Sequence, residues 1–248
     1  MNIVVFDTET TSLQKPFVYN IGYKIVNTET KETLSRKEFV VSQIWDNKEL
    51  FSSAYYADKR QVYVNRMRAR LIIKEKFGYI MQAMIRDFKA YEIQQAYAYN
   101  SDFDEGVFAF NTDWFKCMNP FETVEIFDIR GYVHEFIADT EEFQNFCEEN
   151  QEFTEKGNYS TTAETLFRYI AKDISFSEEH TALADSEIET EILFACIELG
   201  AEFGKHYKTK QSIERNVEKI LTIVQDGNEY PFSYRKRTNR GDKIYLKG

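Results

Sequence analysis

The chain has 248 residues, of which 43% are hydrophobic and 16% aromatic, and a net charge of −10; with three prolines, ten glycines and no low-complexity run, it can bury a sizeable core and is not a disordered polymer. No stretch approaches the ~20 apolar residues of a membrane helix, so no membrane partner is expected, and the start MNIVVFDTETT lacks the basic head and apolar middle of a signal peptide. The three cysteines, Cys117, Cys147 and Cys196, are odd in number and widely spaced without a CxxC, which argues against a disulfide framework or a zinc site and suits buried thiols in a reducing cytoplasm.

Asn2–Phe6 is an apolar run leading straight into acidic and hydroxyl residues, the pattern of a buried strand ending at a site. Phe17–Asn27 and Thr33–Val41 are rich in β-formers and predict two more strands, the three together an antiparallel meander. Ile44–Phe77 is polar and aromatic. From Lys59 it is also basic, with Arg60, Arg66, Arg68, Arg70, Lys74 and Lys76 among Tyr55, Tyr56 and Tyr63. It predicts helix, presenting either a solvated face or a face for nucleic acid. Gly78–Gln94 has helical periodicity through Ile80, Met84, Phe88 and Tyr91. Ala96–Tyr99 predicts a short strand and Ser101 the start of a helix; Val124–Phe127 predicts another strand, with a helix after Asp128. Residues 139–158 are acidic and polar, and Thr161-Thr162-Ala163-Glu164 fits a capping box opening a helix through Ala171. Helices are predicted over Ala182–Leu199 and Gln211–Val224, and a hairpin in the tail Tyr230–Gly248. Residues 205–248 carry eleven Lys/Arg against five Asp/Glu, so the acid excess lies in the rest of the chain and does not exclude a polyanionic partner. The sum is an α/β domain with helices on the faces of its sheet.

Three short motifs carry chemistry. In Val4-Val5-Phe6-Asp7-Thr8-Glu9-Thr10-Thr11, Asp7 and Glu9 project to the same side of a strand, because side chains alternate with period two. Two such carboxylates repel unless a cation sits between them. In Ala98-Tyr99-Asn100-Ser101-Asp102-Phe103-Asp104, Asp104 is a candidate ligand, but its spacing from Ser101 also fits a capping box, and Asp102 competes for the role. In Glu179-His180-Thr181-Ala182-Leu183-Ala184-Asp185, His180 and Asp185 are five residues apart, about 500° on a helix. They converge only if His180 lies in a loop before the helix and Asp185 in its first turns. A histidine there suits a general base near neutral pH. His134 and His206 read as ordinary surface or core histidines.

FDTETT, YNSDFD and HTALAD, in that order, resemble the motifs of the DEDDh exonucleases, the group that includes the proofreading subunit of bacterial DNA polymerase and ribonuclease T. Asn100, Phe103 and Ala182 match as partner residues, and the helix containing Leu166 sits where that family has one before its last motif. The resemblance covers about residues 1–200. It implies a ribonuclease H-like α/β fold, a mixed central sheet flanked by helices, in an exonuclease domain 1–204 with a helical insertion at about 44–77, followed by a basic extension 205–248. It implies two divalent cations, Mg²⁺ or Mn²⁺, for which carboxylate oxygens are suitable ligands. Asp7 is then shared by both, Glu9 and Asp185 hold one, Asp104 supports the other, and His180 deprotonates the attacking water. Thr10, Thr11 and Leu13 line the pocket of the terminal nucleotide, Leu13 against its base, and Asn100 joins the substrate contacts. The substrate implied is a nucleic-acid 3′ end releasing nucleoside 5′-monophosphates, with single-stranded DNA favoured by the DxETT form of the first motif. The chain departs from the family in its long spacing between the first two motifs, in Tyr99 where histidine is frequent, and in an extended 139–160. Two rivals are a binding module on the same fold and a haloacid-dehalogenase-like phosphatase. The latter needs an Asp where Glu9 stands and leaves HTALAD unexplained.

Overall fold

The computed structural model describes residues 1–209 throughout and, beyond them, the strands Glu218–Gln225, Asn228–Arg235 and Lys243–Tyr245. The predicted meander is present: β1 (Asn2–Thr10), β2 (Val18–Asn27) and β3 (Thr33–Val41) pair antiparallel in turn. β1 runs past Phe6, so Asp7 and Glu9 lie within the strand and not after it. β4 (Ile73–Glu75) joins β3 in parallel, β5 (Gln95–Ala98) joins β1 in parallel, and β6 (Glu125–Asp128) joins β5 in parallel. The order β4-β3-β2-β1-β5-β6 makes a mixed sheet with β1 in its interior.

Alternation along β1 feeds two cores. Val4 and Phe6 pack on one face with α4 (Phe77–Ala90) and α5 (Ser101–Phe115), through Ile80, Met84, Phe88, Val107 and Phe108. Ile3 and Val5 pack on the other with α6 (Ile129–Phe136), α7 (Glu141–Asn150), α8 (Ala163–Ala171) and α9 (Ala182–Glu198), through Val133, Phe143, Leu166 and Ile192. Cys147 and Cys196 are buried in this second core, whereas Cys117 is only half-buried. Packing on that side continues past residue 204, since Tyr207 lies edge-on against Tyr132 and Phe136. Among the described residues no helix is long and apolar enough to cross a membrane.

Four expectations are corrected, and one segment for which no element was predicted gains a helix. Ile44–Phe77 is not one helical stretch: it breaks into α1 (Ser42–Trp45), α2 (Lys48–Ser52), a 3-10 turn at Ala57–Lys59 and α3 (Arg60–Arg68), and then extends into β4, where Phe39 offers Ile73 an edge to pair with. Residues 139–158 contain a helix, α7, capped by Thr140, whose hydroxyl accepts from Phe143 N–H. α8 opens where expected but on Thr162, which accepts from Thr165 N–H at 3.2 Å, while Glu164 binds Arg168 instead of closing a box. The helix predicted over Gln211–Val224 is overturned from 218 on, because Ile220, Thr222, Ile223 and Val224 are β-branched and pair as β7 (Glu218–Gln225). β7 is antiparallel to β8 (Asn228–Arg235) and parallel to β9 (Lys243–Tyr245), so the hairpin turns between Gln225 and Asn228, earlier than predicted. Residues 211–217, and the basic Lys236, Arg237, Arg240 and Lys247 of the tail, lie outside the described residues.

Candidate active site

Asp7 and Glu9 extend the face of β1 that carries Ile3 and Val5, the face on which α9 packs. Asp185 is in the first turn of α9. Two residues of β2 let the helix start sit there. Gly22 is the register partner of Asp7, and a Cβ on it would lie 2.1 Å from Leu183 N and 2.2 Å from Ala182 C. Only glycine admits so close an approach. Asn20, the register partner of Glu9, accepts from Ala182 N–H at 2.8 Å and donates to Phe39 O at 2.9 Å, capping a helix whose Thr181 makes no side-chain cap. As a result Asp7, Glu9 and Asp185 offer carboxylate oxygens within 4.8 Å of one another.

Asp104 arrives from the opposite face. α5 starts after Asn100, which stands at φ 67° and makes no side-chain cap, so the Ser101–Asp104 capping box does not form. Asp104 is 2% exposed and accepts from Thr8 Oγ1 at 2.5 Å; Asp102 is exposed, and Phe103 between them is half-buried against the core. Asp104 therefore faces β1 and Asp102 does not, although Asp104 stands outside the set of three that share the 4.8 Å limit.

The four acids strain against each other. Burial pushes the Asp7 carboxyl up to about 7, offset in part by the Thr8 backbone N–H. Burial, then Asp7 and Glu178, push Asp185 to about 9. Burial and the neighbouring carboxylates hold Glu9 and Asp104 well above the ordinary range, while the Lys59 ammonium pulls Glu9 and Asp185 back down. Asp185 Oδ1 is buried without a hydrogen-bond partner among the described residues. Repelling oxygens with an unused buried acceptor among them match what a hard divalent cation takes.

His180 precedes α9 and stands at φ 52°, in the left-handed region, so it is not carried around the helix away from Asp185. Its Nδ1 lies 3.4 Å from Glu178 Oε2 and its ring stacks on Tyr56, centroids 4.4 Å apart at 13°. Glu178, His180 and Asp185 likewise offer ligand atoms within 4.8 Å of each other. Burial, then Lys59, hold the imidazole pKa below its ordinary value, leaving the ring neutral at neutral pH.

The remaining predicted residues spread out from this centre. Thr10 ends β1 opposite Val18, and the buried Thr11 donates to Lys15 O at 3.4 Å. Leu13 is 83% exposed. Asn100 is exposed and accepts from Arg130 Nη1 at 2.8 Å, at the rim of an open cavity of about 1100 Å³ shared with Tyr99, Tyr159 and Thr161.

Sequence reasoning missed four neighbours. Glu189 is 4% exposed, accepts from Tyr99 N–H at 3.3 Å, and is held well above the carboxylate range by burial and then by Asp7, Asp104 and Asp185. Its signal was its i+4 spacing from Asp185 on one helix face. Glu178, pushed to about 7 by burial and then Glu164 and Asp7, stands two residues before His180. Tyr56 and Lys59 come from the basic segment, which is neither a plain solvated face nor free to meet a polyanion throughout. Arg66 is paired with Glu38 and Glu179, Arg60 lies over Trp45, and Lys74 pairs with Asp46.

No family model matches the sequence, and no curated protein matches it. Solved structures do share its architecture. The nuclease domain of 3′hExo, a DEDDh family member bound to rAMP, aligns at TM-score 0.52 and 12% identity over 80% of this chain and 92% of its own. A 3′-exonuclease in specific recognition of the histone mRNA stem-loop aligns at TM-score 0.51 and 12% identity over 94% and 90%. The fold, a mixed sheet flanked by helices, is thus one this chain shares with the nuclease domain of a DEDDh family member.

Proposed function

We propose that this chain is a metal-dependent 3′→5′ exonuclease that releases nucleoside 5′-monophosphates from nucleic-acid 3′ ends. The observation that supports it most is the meeting of Asp7, Glu9 and Asp185 within 4.8 Å, from two elements far apart in sequence, on a fold shared with DEDDh nucleases. Asp7 is read as the carboxylate common to two divalent cations, Mg²⁺ or Mn²⁺, with Glu9 and Asp185 on one and Asp104, steadied by Thr8, on the other. When bound, such ions neutralise the carboxylates and stabilise the charge that develops on the phosphate oxygens.

The protein's own part is proton handling and positioning. Glu178 beside Nδ1 favours the tautomer with its proton there, which leaves His180 Nε2 to accept a proton from the attacking water. Thr10, Thr11 and Leu13 follow the metal-binding strand end and are read as the pocket of the terminal nucleotide, with the exposed Leu13 presented to its base. Asn100, held by Arg130, is read as a contact to the strand beyond it.

Single-stranded DNA is the substrate the DxETT motif favours. RNA 3′ ends are the second reading, because the solved structures above hold rAMP and an mRNA stem-loop. The test is a comparison of 3′- and 5′-labelled DNA and RNA oligonucleotides with Mg²⁺, Mn²⁺ or EDTA. Stepwise loss of the 3′ label as mononucleotide, abolished by EDTA, is expected. Binding without turnover would favour the non-catalytic module, and cleavage of monophosphate esters alone would favour the phosphatase.

A further inference from the structure

Residues 56–66 lie far from the three motifs in sequence, yet four of them converge on Glu179 and His180. The Tyr56 ring stacks on the imidazole at 4.4 Å and 13°. Lys59, whose ammonium sits 5.2 Å over that same Tyr56 ring, donates to Glu179 O at 2.9 Å. The fully buried Tyr63 hydroxyl lies 3.3 Å from His180 O and 3.1 Å from Asn20 Oδ1, and its one proton is shared between these two acceptors. Arg66 donates to Glu179 Oε2 at 2.9 Å and is itself anchored by the buried Glu38 at 2.8 Å.

We propose that this segment is a clamp that sets the conformation of the His180 loop, with Tyr56 the positioning residue for the imidazole. The inference rests on the reading of His180 as general base. His180 stands at φ 52°, a conformation that non-glycine residues keep only where their surroundings over-determine it. The loop cannot supply that by itself: it lies between α8 and α9, and its own Thr181 makes no side-chain cap on the helix it enters, the cap coming from Asn20 of β2. Tyr63 reaches the carbonyl of His180, Lys59 holds the carbonyl of the Glu179–His180 peptide, and Arg66 ties down the Glu179 side chain before it. These ties leave the ring free to turn about its own bonds. Tyr56 limits that rotation from one face, while Glu178 meets one ring nitrogen at the edge. A base held this way is preorganised for its proton, and that advantage is expressed in turnover and not in substrate affinity.

The test compares Tyr56→Ala and Tyr56→Phe in the native and His180→Ala backgrounds, on a 3′-labelled oligonucleotide with Mg²⁺, reading kcat and KM separately. Tyr56→Ala should lower kcat by about 10-fold to 10²-fold, the range for a misplaced catalytic group, with KM little changed. Tyr56→Phe keeps the ring and should restore the rate. In the His180→Ala background Tyr56→Ala should cause no further loss. Tyr63→Phe, which removes one hydroxyl, probes the same clamp from the backbone side and should also lower kcat. A Tyr56→Ala effect confined to KM, or equal in both backgrounds, overturns the clamp and marks Tyr56 as a substrate platform or packing residue. If His180→Ala is crippled while Tyr56→Ala turns over normally, the clamp fails alone. If His180→Ala itself retains native turnover, the base reading fails and the clamp with it.

Discussion

Gly22→Ala is the substitution for which the structure sets the size of the effect most directly. The added methyl would sit 2.1 Å from Leu183 N, 2.2 Å from Ala182 C and 2.5 Å from Ala182 O. These are backbone atoms at the start of α9, with no flexible tip to swing aside, so strand and helix must separate by more than 1 Å to bring the 2.1 Å contact to the 3.4 Å at which ordinary packing begins. The residues displaced are the ones between His180 and Asp185, while Asp7, across the ladder from Gly22, stays with its strand. Overpacking of this kind costs about 1–3 kcal/mol, which at about 2–4 °C per kcal/mol for a domain of this size lowers Tm by roughly 2–12 °C. A shift of about 1 Å at a catalytic group costs on the order of 10²-fold in rate. The assay is kcat on a 3′-labelled oligonucleotide with Mg²⁺, alongside a thermal melt. Gly106→Ala is the control: it sits in the interior of α5 with nothing within 4 Å of the new methyl, and should raise stability by about 0.5–1 kcal/mol without touching turnover. Native turnover in Gly22→Ala would refute the claim that the helix start must lie on β2 for catalysis.

Asp104→Asn should be inactive and Asp102→Asn close to native, since only Asp104 is buried against Thr8; the reverse ranking in single-turnover assays would move the ligand two positions. Without metal, Asp7 and Asp185 hold their protons to about 7 and about 9, far above their values in the unfolded chain. Between those limits the folded state binds more protons, so stability in EDTA should fall as pH rises from about 4 toward 9, and Mg²⁺ should raise Tm most at the alkaline end. A melt indifferent to both pH and Mg²⁺ in that window would remove the carboxylate cluster as the metal site. Replacing Lys236, Arg237 and Arg240 by Gln should flatten the salt dependence of long-oligonucleotide binding, by about 0.7 in slope for each phosphate no longer neutralised, and spare cleavage of very short substrates; an unchanged slope would show that the basic tail does not grip substrate.

The parts of the site legible in the sequence are those governed by local periodicity. Asp7 and Glu9 share a face because a strand alternates, and His180 has to precede the helix because five residues of helix separate two faces. Glu189 is legible by the same logic, one turn beyond Asp185, but an acid on a helix draws no notice until its burial is known. The Thr161–Glu164 pattern misleads by one residue: adjacent threonines offer two registers, and Arg168 competes for Glu164 with a partnership to Glu152 besides. Tyr56, Lys59, Tyr63 and Arg66 are not legible at all. Their partners in the His180 loop lie more than 110 residues away, and a run of cations looks the same whether it faces solvent, a polyanion or the chain's own acids. β7 reads as helix when its apolar residues are weighed by periodicity alone; its β-branched residues, and its pairing with β8 and β9, mark it as a strand.

The placement of β1 in the interior of the sheet, closed over by α9, also governs when the acidic cluster can assemble. Asp7 is synthesised before Asp104, and Asp185 comes last of the three. The bonds that join their surroundings span long stretches of chain: Thr8 to Asp104 crosses 96 residues, Tyr63 to His180 crosses 117, and Asn20 to Ala182 crosses 162. Contacts of such separation form late, because the loops that precede them must first be closed. A nascent chain still short of α9 has a platform for acids and no complete set of them. On the proposed nuclease function, the polypeptide would be inert toward nucleic acid until α9 docks.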